Sequence, residues 1–239
     1  MLLCDADGNL FPSEEPAFVA SADVTNRCLA TLGIARTYAP EELRLTATGK
    51  NFRTTIVDLV AEAGPARTLT DEALERWVAE ERRAVSAYLA ETLKPDADVV
   101  EPLTRLQRRF GLAAVSSSAL GRLDACFTAA GLAELFPSPR RFSAEDSLPT
   151  PTSKPDPAIY TFAGRVLDVD GRNAIAIEDS VPGALSAVAA GFQTIGNIAF
   201  VARDERSERV AALRAAGVVG VVASWSELEA LLDQTTIPA

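Results

Sequence analysis

The chain contains no histidine. That absence removes Ser-His-Asp and Cys-His nucleophilic catalysis, His-ligated zinc and any imidazole acid–base step. Cysteine is sparse, and Cys4, Cys28 and Cys126 are too scattered for a disulfide framework or a zinc spacing. A reducing cytoplasm is the expected setting. Lysine occurs only as Lys50, Lys94 and Lys154, in a chain that otherwise draws its positive charge from arginine. No apolar run approaches the roughly 18 residues a membrane span needs. The opening MLLCDADG is too short and too acidic to read as a signal peptide. A net charge of −10 argues against a general affinity for nucleic acid. It leaves a small anionic substrate open, because a metal or a few local cations reverse the field inside a pocket. Carboxylates, Lys, Arg, Ser and metal are what remain for chemistry.

The 239 residues suffice for a substantial core, and 48% apolar with 23% charged residues is a globular balance. Leu2-Leu3-Cys4 reads as a short buried strand that stops at once in the polar loop Asp5-Ala6-Asp7-Gly8-Asn9. From about Pro16 to Leu93 the pattern is helical, with helices expected over 17–32, 40–46, 52–63 and 71–93. Gly33, Gly49 and Gly64 punctuate this block, and no strand-like alternation interrupts it.

Beyond Lys94-Pro95-Asp96 helices and strands alternate. Strands are expected at 111–115, 141–143, 173–177, 193–197 and 218–222. Helices are expected at 99–110, 120–132, 158–167, 183–190, 205–216 and 226–232. Such alternation predicts a parallel sheet covered on both faces. The expected fold is therefore α/β, a doubly wound, Rossmann-like parallel sheet with an inserted all-helical domain. The core takes residues 1–13 and 96–239, and the insert takes 14–95.

In such sheets ligands bind outside the carboxyl ends of the strands. Three strand ends carry reactive groups here: Asp5 with Asp7, Ser116, and Glu178 with Asp179. Two carboxylates one residue apart can divide labour, one attacking or holding metal while the other handles protons. Gly8 relieves crowding where the chain turns toward a ligand. Oxygen donors from separate segments suit a hard cation such as Mg2+. Ser116, and the amide of Ser117, can donate to phosphate oxygens, and the compact ammonium of Lys154 can offset phosphoryl charge. Each feature has a plainer reading when taken singly. Asp5 and Asp7, or Asp179 with Ser180, serve equally as helix caps; Ser116 as a polar loop; Lys154 as a solvated residue before a proline turn.

Taken in order, Asp5-Ala6-Asp7-Gly8-Asn9-Leu10, Ser116 after Leu112–Val115, Lys154-Pro155-Asp156-Pro157, and Glu178-Asp179-Ser180 before Gly183 resemble the four motifs of the haloacid dehalogenase superfamily. The resemblance covers most of the chain. It is nearest the branch with a helical cap after the first motif, which includes phosphoglycolate phosphatase-like and beta-phosphoglucomutase-like enzymes.

It implies a Mg2+-dependent phosphatase acting on a small phosphorylated metabolite. Asp5 would attack phosphorus to give an aspartyl phosphate, and Asp7 would serve as acid and then base. The carboxylates of Asp5 and Asp179 and the backbone carbonyl of Asp7 would hold Mg2+, with Glu178 acting through water. Ser116 and Lys154 would fix the transferring group, with Gly8, Asn9 and Ser117 nearby, and the cap would close over the substrate. Within the cap, Thr48-Gly49-Lys50-Asn51-Phe52-Arg53 resembles a segment that relatives aim at substrate, so Lys50 or Arg53 could bind a second anionic group. A solvated helix start accounts for those residues equally well.

Two departures stand out. Asn9 replaces the more usual Thr or Val, and Phe11-Pro12-Ser13-Glu14-Glu15-Pro16 replaces a run ending in the histidine of the mutase branch. Release of phosphate to water is therefore expected over a phosphomutase reaction. A dehalogenase is disfavoured by Asp7. A phosphonate hydrolase would need a Schiff-base lysine in a shorter cap. A phospho-signalling receiver, a non-phosphatase alternative, would be much shorter and lack the insert. A non-catalytic metal-binding relative would not need the intact set of Asp5, Asp7, Ser116, Lys154 and Asp179.

Overall fold

The computed structural model describes residues 1–47, 51–64 and 67–234. The chain divides into two compact units, Met1–Pro12 with everything from Leu93 onward, and Ser13–Thr92.

The first unit is built on a six-stranded sheet. Its strands are β1 (Leu2–Cys4), β2 (Leu112–Ser116), β3 (Arg141–Ser143), β4 (Ile175–Glu178), β5 (Gln193–Asn197) and β6 (Gly220–Val222). The order is β3-β2-β1-β4-β5-β6, with each neighbouring pair parallel. The chain winds outward from β1 to β3, then returns to the other side of β1 and winds outward again to β6. This reversal opens a crevice at the carboxyl ends of β1 and β4, the place where such sheets bind ligands.

Six helices of this unit connect or follow the strands: α5 (Ala97–Leu106), α6 (Leu120–Ala129), α7 (Ala158–Leu167), α8 (Val181–Ala189), α9 (Arg206–Ala215) and α10 (Trp225–Gln234). Apolar clusters among the described residues cover the sheet. Leu3, Ala113, Val115 and Ala176 sit at alternating strand positions and pack with Phe142, Ile159, Tyr160 and Phe192. Ala184, Ile198, Leu213 and Ala216 form the second cluster. This is the doubly wound α/β sheet that the pattern predicts.

The second unit holds α1 (Glu14–Thr31), α2 (Pro40–Thr46), α3 (Phe52–Glu62) and α4 (Asp71–Thr92), and its described residues contain no strand. Its own core gathers Cys28, Leu29, Leu43, Ile56, Leu59 and Leu74. The helix starts follow from local chemistry. The Asn51 side chain accepts from the Thr54 amide at 2.9 Å, and Pro40 occupies the first turn of α2, where no donor is needed.

The bounds of β1, α2, β3, α7 and β5 are those expected, and the others differ by one to four residues at one or both ends. α1 begins at Glu14 rather than Ala17, because Pro16 still lies in the first turn and needs no amide bond there. β4 begins at Ile175 rather than Asn173, because Asn173 and Ala174 are tied into a turn on Asp170. α5 ends at Leu106, short of the expected Phe110, in a run of tight turns over Gln107–Arg109.

Burial on the central strand gives a direct test of packing. Leu3→Ala should lower unfolding free energy by about 2–5 kcal/mol, since Leu3 is fully buried. Val166→Ala, on the exposed face of α7, should change it by no more than about 0.5 kcal/mol. Equal urea midpoints for the two variants would contradict this packing.

Candidate functional site

The parallel register carries side chains from three strand ends into one crevice. Cys4 pairs with Ala114 on one side and Ile177 on the other, so the next residue, Asp5, lies level with Val115 and Glu178. The Asp5 amide bonds Ile177 O at 2.9 Å, extending the ladder by one step before the chain turns away.

Lys154 occupies the centre of this arrangement. Its Nζ donates to Asp5 Oδ1 at 2.5 Å, to Glu178 Oε1 at 2.6 Å and to the Val115 carbonyl at 2.7 Å. The Tyr160 hydroxyl donates to the same Glu178 oxygen at 2.7 Å, and its ring lies 5.1 Å from Nζ. All four side chains are almost wholly inaccessible. The segment carrying Lys154 is tied to β2, because its amide donates to Ser117 Oγ at 3.1 Å.

Burial pushes the Asp5 carboxyl up, with Glu178 adding to the push against the pull of Lys154. For Lys154, burial alone would lower the ammonium, but Asp5 and Glu178 together hold it above its ordinary value. Tyr160 is likewise held well up by burial and the adjacent Glu178.

Asp5, Glu178 and Asp179 each offer a carboxylate oxygen within 4.8 Å of the others. Glu178 Oε2 is buried and makes no hydrogen bond. Two glycines make room for these acids. Gly8 has φ +77°, and a Cβ there would come 2.5 Å from Asp179 Oδ2; one at Gly183 would come 1.8 Å from Glu178 Oε2. Lys154 bonds two of these three buried carboxylates, and the Arg209 guanidinium lies 4.0 Å from Oδ2 of the third, Asp179. An all-oxygen donor set with this excess of negative charge fits a hard divalent cation such as Mg2+.

Asp7 points its carboxylate elsewhere. Its two oxygens accept from Ser118 Oγ at 2.7 Å and Arg122 Nη2 at 2.9 Å. Ser116 Oγ accepts from the Ser118 amide at 3.0 Å, which ties the end of β2 to the same loop.

Asn9 requires a correction. Its side chain is fully buried and bonded to protein groups, where a side chain reaching a substrate is the expectation. Nδ2 donates to the carbonyls of Asp5 at 2.9 Å and Ile177 at 3.2 Å, while Oδ1 accepts from Asn197 Nδ2 at 2.8 Å. Trp225 Nε1 donates to the Asn9 carbonyl at 3.1 Å. Asn9 thus cross-links the ends of β1, β4 and β5 beneath the acidic crevice.

In the helical unit, Arg53 pairs with Glu75 at 2.7 Å on an exposed surface. Lys50 lies outside the described residues.

Sequence reasoning missed Ser118, Tyr160, Arg122, Asn197 and Arg209. Ser118 was visible only as part of a polar triplet, and Tyr160 follows the Lys154-Pro155-Asp156-Pro157 run closely enough to be suspected. Arg122 and Arg209 sit within helices, where an arginine ordinarily reads as solvated surface.

The profile of haloacid dehalogenase-like hydrolases matches residues 2–191. The chain belongs to that family and is a hydrolase of the haloacid dehalogenase-like type. It is 31% identical over 212 residues to protein CbbY of Cereibacter sphaeroides, covering 85% of this chain and 86% of that one. Among solved structures it resembles CbbY from Rhodobacter sphaeroides in complex with xylulose 1,5-bisphosphate, with TM-score 0.70, 24% identity and 95% of each chain covered. It also resembles a predicted phosphoglycolate phosphatase from Haemophilus somnus, with TM-score 0.73, 17% identity and 97% of each chain covered.

The glycine that admits Glu178 can be tested against a neutral site. Gly183→Ala should cost about 1–3 kcal/mol or more, because a Cβ meets the Glu178 carboxylate. Gly121→Ala on α6, where nothing lies within 4 Å, should stabilise by about 0.5–1 kcal/mol. Thermal unfolding of the two variants side by side checks the contrast.

Proposed function

We propose that this protein is a Mg2+-dependent phosphatase that hydrolyses a small phosphorylated metabolite through an aspartyl phosphate on Asp5. The observation that carries the reading is the Lys154 bridge. It fixes a buried carboxylate at the end of the central strand, beside two more carboxylates, while Asp7 stands apart on its own donors.

The carboxylates of Asp5, Glu178 and Asp179, with the backbone carbonyl of Asp7, would hold Mg2+. When bound, the ion offsets the charge of the transferring phosphoryl group and of the acids around it. Asp5 attacks phosphorus as the ester P–O bond breaks, and Asp7 gives a proton to the departing oxygen. Water then attacks the phosphorus of the aspartyl phosphate, Asp7 takes up the water's proton, and the Asp5 oxygen leaves as carboxylate. Ser116 orients the phosphoryl oxygens, and the Lys154 ammonium, whose donors hold Asp5, Glu178 and Val115, offsets their charge.

The CbbY complex with a sugar bisphosphate supports a phosphorylated small molecule as substrate. The absence of histidine and the run Phe11–Pro16 favour release to water over return to a second hydroxyl of the substrate.

Phosphate release from a panel of phosphorylated metabolites should require Mg2+ and fall roughly a thousandfold or more in Asp5→Asn. Comparable turnover by Asp5→Asn, or turnover indifferent to chelator, would contradict the mechanism. Independently of turnover, Mg2+ should raise the unfolding temperature of the wild-type protein, and Asp179→Asn should remove most of that rise.

A further inference from the structure

Among the described residues, Lys154, Arg209 and Arg122 touch the acids of the crevice, and they differ in accessibility. Lys154 is fully committed, with Nζ donating to three acceptors and a side chain only 6% exposed. Arg209 is as open as Arg122, with 26% of its side chain exposed, but it donates to the Asp179 carbonyl at 2.9 Å and faces the carboxylate cluster of Asp5, Glu178 and Asp179. Arg122 lies on α6 and keeps a quarter of its side chain open to solvent while bonding Asp7, which is 21% exposed. Of the two open guanidiniums, Arg122 is the one paired with Asp7, and its fork of donors matches a carboxylate or phosphate.

Its present partner is the acid assigned to proton transfer. Asp7 accepts from Ser118 with one oxygen and from Arg122 with the other. A substrate oxygen approaching either of them competes with one of these donors. Ser118 belongs to the loop at the end of β2 and is tied to Ser116. Arg122 sits on a long flexible stem and can follow a new anion without moving the backbone.

We propose that Arg122 is a specificity contact for a second anionic group of the substrate, a carboxylate or second phosphate, which takes over the guanidinium and releases Asp7 toward the reacting phosphate. This rests on the phosphatase reading of the site. In a chain of net charge −10, a local cation of this kind gives a doubly anionic substrate a reason to bind. It also couples recognition to chemistry, since a singly charged ester leaves Asp7 held by both donors.

Matched esters test the contact. The first pair is 3-phosphoglycerate and glycerol 3-phosphate, the second 2-phosphoglycerate and glycerol 2-phosphate. Within each pair a carboxylate replaces a hydroxymethyl group. Binding to the Mg2+-loaded protein and steady-state kinetics are both measured.

The wild type should favour the carboxylate member of at least one pair by about tenfold to a hundredfold in kcat/KM and in binding. Arg122→Gln should reduce that preference to less than about threefold, mainly through KM, and Arg122→Lys should recover part of it. A wild type indifferent to the carboxylate in both pairs overturns the proposal. So does an Arg122→Gln protein that loses activity on both members of a pair equally, which is the signature of a structural role. Should Arg122→Gln not fold, Arg122→Lys decides, and an unchanged KM for the preferred acid then counts against the contact. Binding preference that depends on Arg122, without phosphate release from any ester, supports the contact and counts against the phosphatase reading.

Discussion

Lys154 holds the carboxylates of Asp5 and Glu178 and the carbonyl of Val115 at once, and the architecture of the site depends on that bridge. Three strands end within one crevice, and each brings an acid or an oxygen acceptor. Without a buried cation their mutual repulsion and desolvation would open the strand ends or leave the acids protonated. A buried ion pair of this kind adds little net stability compared with apolar packing, so its value lies in fixing geometry. A lysine stem is long enough to reach the acids from the loop before α7, where its ammonium lies over the Tyr160 ring.

A second, neutral network lies beneath the charged one. Asn9 bonds the carbonyls at the ends of β1 and β4, Asn197 brings in β5, and Trp225 anchors the Asn9 carbonyl from α10. Parallel strands run out of ladder partners at their ends, and a buried amide supplies them. The acidic loop therefore starts from a fixed backbone. Above it, the Asp7 carboxylate is held by the side chains of Ser118 and Arg122, the second of which is partly open to solvent. The buried Asp5 carboxylate and the partly exposed Asp7 carboxylate are thus held by different kinds of partner.

Much of this was legible in the residues. Short apolar runs between stretches of 3.6-residue periodicity mark the alternation of strands and helices, and acids stranded at the ends of those runs mark the crevice. Element ends were less legible, because Pro16 and the Asp170 turn shift them through hydrogen bonds that hydropathy does not encode. The partners of Asp7 and Asp179 were hidden for a different reason. Arg122 and Arg209 lie on helices whose rotation about the sheet is fixed only once the core packs. Asn9 reads as a loop residue because it follows Asp5-Ala6-Asp7-Gly8 in sequence. Its burial follows from the proximity of Asn197, 188 residues away.

The central claim is that Asp5 carries the phosphoryl group, and the most direct measurement looks for that bond. Acid-quenched enzyme, taken during turnover with Mg2+ and a good substrate, is treated with borohydride and digested for peptide mass analysis. Reduction of an acyl phosphate converts the aspartate that bore it to homoserine, so the account predicts homoserine at position 5 and at no other carboxylate, dependent on substrate and metal. Phosphate release with Asp5 left unreduced, or reduction at Asp7 or Asp179 instead, would contradict it.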